Sequence, residues 1–320
     1  MRVCIERELK ERQGGVSTYE RALRRWLPKV GVDVVDSGGV ETILQIGPHA
    51  YREGDFSGVR RVIVVHDLIP EIEWKDESIR EGRRLALERA DAVIAVSEWT
   101  KNDLVQEYGV SLDRIRVVHH GVDHELFESR GDDFGQDFGR PYLLYVGKRN
   151  EYKRFRWFLR AVAPLMWRHP SWRIRCTGEP FCRREVAWLL ALGLYGRVTV
   201  RRYDEAEMSA LYRQALAFVY PSAHEGFGMP ILEAMASGCP VVSSDATCLP
   251  EVGGDAADYF RADDSRGFRQ CIRRLVSDVH WRSERVERGL ARAKEFTWER
   301  CARETAEVLS GGSKIRGDQS

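Results

Sequence analysis

The sequence predicts an α/β protein made of two successive doubly wound domains, and three observations carry that expectation. Short apolar runs rich in Val, Ile and Tyr alternate with amphipathic helical stretches through both halves, the pattern of parallel strands joined by helical crossovers. At 320 residues the chain is long enough for two cores of ordinary size. A polar, Gly-rich stretch at 128–140 interrupts the alternation and reads as an interdomain linker between domains at 1–127 and 141–295.

Composition removes several classes. With 43% apolar and 31% charged residues and a formal net charge of +1, the chain is neither disordered nor a polycation built for nucleic acid. Arginine pairs at Arg24 and Arg25, Arg60 and Arg61, and Arg83 and Arg84 read mostly as solvated faces. Seven cysteines with no CxxC spacing give neither a zinc cage nor a disulfide framework, so reduced thiols and a cytoplasmic setting fit best. No apolar h-region opens the chain and no window is long enough to span a bilayer, which leaves a soluble protein or one peripheral at the inner membrane face.

In the first domain, residues 2–5 read as an opening strand. Gly14 and Gly15 form the turn into a helix whose Tyr19, Ala22, Leu23, Trp26 and Leu27 share one face. Small residues there allow a ligand close to the backbone at a helix N-terminus, although a plain tight turn explains them too. Strands follow at 32–35, 42–46 and 59–66, the last running into His66-Asp67-Leu68-Ile69-Pro70. His66 thus sits at the carboxyl end of a strand, the edge where open α/β sheets bind ligands, while a structural histidine is the plainer alternative. A helix over 77–89, a strand over 92–97 with Ser97 as cap of the next helix, and a strand over 115–119 complete the series. His119 and His120 have no third ligand at useful spacing, so no metal is expected there.

In the second domain, a buried strand at 142–147 ends at Gly147 and enters the loop 148–155. Arg149 and Lys153 place two cations at this strand-to-helix turn, suited to a diphosphate and to the charge that grows on it as a leaving group. Strands at 172–178, 198–203 and 217–220 alternate with helical stretches at 183–192 and 205–215, and Gly178 and Tyr203 fall at strand ends. Trp157, Trp167, Trp172 and Trp188 read as packing residues. A Thr-capped helix closes the fold over 296–310, before a polar tail at 311–320.

The stretch YPSAHEGFGMPILEAMASGCPVVSSDATCLPEVGG, residues 220–254, is the most informative. Pro221 ends a buried strand, Glu225, Gly226, Phe227 and Gly228 belong to a loop, Pro230 opens a helix, and Gly238 stops it before the strand at 241–245. Strand, glycine loop and helix N-terminus together suit a phosphate. Glu225 and Glu233 can line one cleft at different depths and accept hydrogen bonds from vicinal hydroxyls, one on a sugar and one on a ribose. Taken alone, two such glutamates are better read as a solvated loop residue and a helix-face charge.

Glu225 and Glu233, separated by seven residues around Gly-Phe-Gly-Met-Pro, resemble the paired-glutamate signature of family 4 glycosyltransferases, and the likeness continues through residues 234–243 and 249–256. The resemblance implies the GT-B fold, two Rossmann-like domains facing across a cleft, and a retaining, metal-independent transferase with no cofactor beyond its nucleotide-diphosphate sugar substrate. It implies that Arg149 and Lys153 meet the diphosphate, that Gly14, Gly15, Gly147, Gly178, Gly226, Phe227, Gly228 and Met229 surround the donor, and that Tyr203 lies near the base. His66 would contact the donor sugar from the first domain, and the terminal helix would cross back to that domain. The His-Asp-Leu-Ile-Pro and Tyr-Val-Gly-x-Arg-x-x-Tyr-Lys patterns look most like bacterial polysaccharide or O-antigen mannosyltransferases, which favours GDP-mannose over UDP-glucose. The first domain is short for this fold, so a missing element or loop is expected on the acceptor side.

The expectation is therefore a hexosyltransferase of polysaccharide or glycoconjugate biosynthesis. Its partners are a nucleotide-sugar donor and a glycan, lipid-linked or small-molecule acceptor, with no nucleic acid. A nucleotide-sugar epimerase or hydrolase, and a non-catalytic nucleotide-sugar-binding subunit, are the rival readings.

Overall fold

The computed structural model describes residues 1–7, 15–36, 38–47, 58–127 and 139–311. The chain divides into two compact units, one formed by Met1–Gly121 with Phe296–Ser320 and the other by Val122–Glu295. Most of the predicted linker, the residues from 128 to 138, and the tail from 312 lie outside the described residues.

The first unit holds a six-stranded parallel sheet of β1 (Arg2–Arg7), β2 (Asp33–Val35), β3 (Thr42–Ile46), β4 (Arg60–Val65), β5 (Ala92–Ala95) and β6 (Ile115–Val117), in the order β2-β1-β3-β4-β5-β6. Its inner strands are buried on both faces, as in β5 where all four residues are buried, which is why they read as continuous apolar runs rather than alternations. Helices α1 (Gly15–Trp26), α2 (Ile69–Ile72), α3 (Glu77–Arg89) and α4 (Glu98–Tyr108) cross between strands. The Asp76 side chain caps α3 by accepting from the Ile79 amide, and Ser97 caps α4 by accepting from Thr100. Ile63, Val65, Leu87, Val93 and Leu104 form a core beneath these helices. Each unit has a six-stranded sheet among the described residues. Arg83 corrects the solvated-face reading: it is 3% exposed and its guanidinium binds the buried Glu71 carboxylate, to which Tyr108 also donates at 2.9 Å.

The second unit begins with α5 (His124–Phe127) and contains β7 (Tyr142–Tyr145), β8 (Arg173–Thr177), β9 (Val198–Arg201), β10 (Ala217–Tyr220), β11 (Val241–Ser244) and β12 (Asp258–Phe260). These form a second six-stranded parallel sheet, β12-β11-β10-β7-β8-β9, in which the order reverses between β7 and β10. In doubly wound sheets the crevice at such a reversal takes the ligand. Helices α6 (Phe155–Arg168), α7 (Arg183–Ala191), α8 (Glu205–Arg213), α9 (Met229–Ala236), α10 (Leu249–Gly253), α11 (Ser265–Ser277) and α12 (Val279–Ala293) surround the sheet. Leu143, Phe158, Val162, Ile174, Phe268 and Ile272 pack its core, each large side chain contributing about 1.5–3 kcal/mol relative to exposure. Trp172 is buried and Trp157 and Trp188 pack on that core, but Trp167 is 58% exposed and packs less than expected.

The last helix, α13 (Trp298–Leu309), is capped by Thr297, whose side chain accepts from the Arg300 amide, and belongs to the first unit. Thr42 Oγ1 donates to Leu309 O at 3.4 Å, and Trp298, Ala302, Thr305 and Ala306 are buried.

Candidate active site

Past the carboxyl ends of β7 and β10, the two strands at the reversal, lie the candidate residues Gly147, Lys153 and Glu225. Past β7, Gly147 adopts φ +120° and its amide donates to Thr177 Oγ1 at 3.1 Å, tying this loop to β8. Lys153 closes a 3-10 turn over Glu151–Lys153, and its carbonyl accepts from the Tyr145 hydroxyl at 3.1 Å. Its Nζ reaches across to the β10 side, donating to Tyr220 Oη at 2.9 Å and pairing with Glu225 Oε1 at 2.5 Å. The two loops are also joined through the backbone, the Ala223 amide donating to Tyr152 O at 2.7 Å.

Glu225 is 7% exposed and well held. The Ser222 hydroxyl donates to the same Oε1 that Lys153 uses, while the Glu225 amide donates to Thr247 Oγ1 at 3.2 Å. Gly228, at φ +91°, is the N-cap of α9, and a side chain there would press on Leu249 Cδ2 at 2.8 Å. Only glycine fits that entry into the helix without strain. Pro230 follows in its first turn, where the missing amide hydrogen bond costs nothing.

Arg149 is held differently. Its Nε donates to Glu185 Oε1 at 2.6 Å and its Nη2 to the carbonyls of Glu179 at 2.7 Å and Pro180 at 3.2 Å. Burial pushes the Glu185 carboxyl up, but hydrogen bonds from Arg149 and the Cys182 amide outweigh it and hold it below the usual carboxylate range. Gly178, at φ +118°, faces this cation: an added Cβ would lie 3.6 Å from Arg149 Nη1, and one on Gly147 3.9 Å from Lys153 Nζ. Those are ordinary contacts, and it is the positive φ at both positions that favours glycine.

Glu233 lies in the second turn of α9, where its Oε2 accepts from the Tyr212 hydroxyl at 2.9 Å. Burial pushes its carboxyl up to about 7, against the Tyr212 hydrogen bond, which lowers it. Tyr203 follows the edge strand β9, with Arg201 over its ring at 4.2 Å. Met229 is the first residue of α9, next to buried Gly226 and Phe227.

In the first unit, His66 follows β4. Its ring meets Tyr19 edge-on at 4.9 Å and lies 5.2 Å from His120, which stacks on Trp298 at 5.9 Å. Burial, with the nearby Arg83 charge, lowers the His66 imidazole to about 3, so it is neutral at physiological pH. Its Nε2 has no hydrogen-bond partner among the described residues. Gly15 is the exposed first residue of α1, and Gly14 lies outside the described residues. Among the described residues no cluster of three potential metal ligands occurs, His119 and His120 included.

The structure thus gathers Gly147, Arg149, Lys153, Gly178 and Glu225 at the carboxyl edge of the second sheet. Tyr220, Ser222 and Glu185 hold these residues and Tyr212 holds Glu233, and sequence reasoning singled out none of the four. Asp204 and Glu207 form a capping box at the start of α8, a signal that places Tyr212 late in a short helix but says nothing of its partner.

Two doubly wound parallel sheets, one with cations and a buried carboxylate at its strand reversal, define the GT-B class of sugar transferase. Residues 140–278 match the family described as glycosyl transferases group 1, and residues 6–126 match Glycosyltransferase Family 4. O-antigen chain mannosyltransferase B of Escherichia coli is 30% identical over 262 residues, covering 77% of this chain and 69% of its own length. Alpha-maltose-1-phosphate synthase of Mycolicibacterium smegmatis is 29% identical over 284 residues, covering 78% of this chain and 73% of its own. Among solved structures, sucrose-phosphate synthase from Thermosynechococcus elongatus shares the fold with a TM-score of 0.82 at 18% identity, over 97% of this chain and 98% of that one. Anabaena HepE in complex with UDP and glucose also gives a TM-score of 0.82, at 17% identity over 97% of this chain and all 100% of that chain. The chain belongs to the family 4 glycosyltransferases and is an enzyme of that class. No helix among its described residues is long and apolar enough to cross a membrane.

Proposed function

We propose that the protein moves a hexose, with retention, from a nucleotide diphosphate to an acceptor hydroxyl in polysaccharide or glycoconjugate synthesis, and that GDP-mannose is its donor. The observation that carries this reading is the Lys153–Glu225 pair at the strand reversal, with Tyr220 and Ser222 on the same two groups. The named activity of the Escherichia coli relative supports mannose.

In this reading the diphosphate lies against Lys153, Arg149 and the amides that follow Gly226. The two cations supply the counter-charge that a metal provides elsewhere, so the transferase is metal-independent. When the phosphate engages Lys153, the lysine is shared between it and Glu225, and the carboxylate accepts from the sugar hydroxyls. Glu233 accepts from the ribose. The bond from C1 to the diphosphate oxygen breaks and one from the acceptor oxygen to C1 forms on the same face. The acceptor's proton passes to the departing phosphate oxygen.

Calorimetric titration of GDP-mannose, UDP-glucose, UDP-N-acetylglucosamine and dTDP-sugars tests the donor. Selective binding of GDP-mannose, weakened by Lys153→Ala, is expected; tighter binding of a uridine or thymidine donor overturns the donor assignment. Donor turnover yielding free mannose or an epimer, independent of added acceptor, would replace transfer with the hydrolase or epimerase reading.

A further inference from the structure

The ribose carboxylate of the proposed function already has one oxygen in protein hands, while Glu233 Oε1 makes no hydrogen bond among the described residues. We propose that Tyr212 is a positioning residue that fixes the Glu233 carboxylate so that Oε1 faces the ribose hydroxyls of the donor. The inference rests on the assignment of Glu233 to the ribose.

The geometry is that of a clamp built on a second helix. Tyr212 is 0% exposed, and its ring is held edge-on between Phe218 at 5.5 Å and Phe127 at 6.1 Å. The phenol therefore has one direction in which to donate, and it donates to Oε2 at 2.9 Å. With that oxygen fixed, the carboxylate plane is fixed as well, and the other oxygen is left to accept from a vicinal diol. A glutamate without such a hold loses rotamer freedom when it binds. Tyr212 removes much of that loss in advance. The same hydrogen bond favours the ionised carboxylate, the form that accepts two hydroxyls, against the effect of burial.

The test compares GDP and UDP with their 2′,3′-dideoxy counterparts by calorimetry at pH 8, in wild type, Tyr212→Phe and Glu233→Ala. Tyr212→Phe keeps the ring and removes one oxygen, and its unfolding midpoint checks that the fold is kept. Wild type is expected to prefer the ribonucleotide by roughly tenfold or more, the value of a charge-assisted hydrogen bond. Tyr212→Phe is expected to cut that preference about fivefold by weakening the ribonucleotide, with dideoxynucleotide affinity held within about twofold. An unchanged preference in Tyr212→Phe, with the preference lost in Glu233→Ala, overturns the role of Tyr212. Equal weakening of both nucleotides in Tyr212→Phe also overturns it, since that is the mark of a packing defect. If wild type has no preference, or Glu233→Ala keeps it, the ribose assignment itself fails.

Discussion

Lys153 and Glu225, 72 residues apart in the chain, form an ion pair at 2.5 Å with only 12% and 9% of their side chains exposed. Removing one partner of so buried a pair leaves the other charge stranded, at about 3–5 kcal/mol. Lys153→Ala is therefore expected to destabilise the second unit by about 3 kcal/mol and to weaken donor binding. The double variant Lys153→Met, Glu225→Gln should recover most of the stability and none of the donor binding or transfer. Urea unfolding and calorimetry read the two effects separately; a double variant as unstable as the sum of its parts would show that the pair is not coupled.

Glu233 gives opposite pH trends for stability and for nucleotide binding. Its folded carboxyl titrates near 7 against an ordinary 4.5, so between those values the folded protein holds a proton that the unfolded chain has released. This group's contribution to stability is thus present at low pH and falls as pH rises through that window. With Glu233 on the ribose as proposed, nucleotide binding favours the ionised form and is expected to rise over the same range by roughly tenfold in all, the value of that hydrogen bond. Nucleotide affinity measured from pH 5.5 to 8 should climb and level off above about 7 in wild type, with the rise absent in Glu233→Ala.

His66 acts in the other direction. Its folded value near 3 lies below the ordinary 6.5, so the unfolded chain takes up the proton first. The stability this gives is complete above 6.5 and is lost as pH falls towards 3, at about 1.4 kcal/mol per unit. Unfolding of wild type and His66→Phe between about pH 6 and 4 should differ in slope by close to that amount. Parallel slopes would mean that the imidazole is not held neutral.

Gly121 supports the first unit by having no side chain. A Cβ there would fall on the backbone nitrogen of Trp298 and the carbonyl carbon of Thr297, neither of which can swing aside. Gly121→Ala is expected to cost about 3 kcal/mol, the upper end of ordinary overpacking. Thermal unfolding checks this, and a variant as stable as wild type would show that α13 shifts freely.

The sequence carries its clearest message where punctuation is densest. Pro221, Gly228, Pro230 and Gly238 each fix a boundary, and β10, the loop and α9 follow those marks. Lys153 and Glu225 are visible as candidate residues because each sits at a strand end, but their pairing is a tertiary contact that no local pattern encodes. Tyr212 reads as one more apolar position of α8 until its hydroxyl is seen on Glu233. The stretch from 257 to 295 receives no elements from the sequence reading, yet it forms β12, α11 and α12. Its apolar positions, Phe268, Ile272 and Leu275, stand among arginines, and some of those arginines lie over aromatic rings, as Arg274 and Arg285 do over Trp281. Such cations pack like apolar side chains while reading as solvent-facing.

The first unit is discontinuous in the chain, since α13 joins the sheet that begins with β1. During synthesis its hydrophobic surface stays uncovered until the last helix emerges, whereas all of Val122–Glu295 is by then available to fold as a continuous piece. The later-made half of the molecule can thus be complete before the earlier-made half. A chain stalled before Phe296 would present an open face on its first unit, a natural target for holding chaperones and proteases.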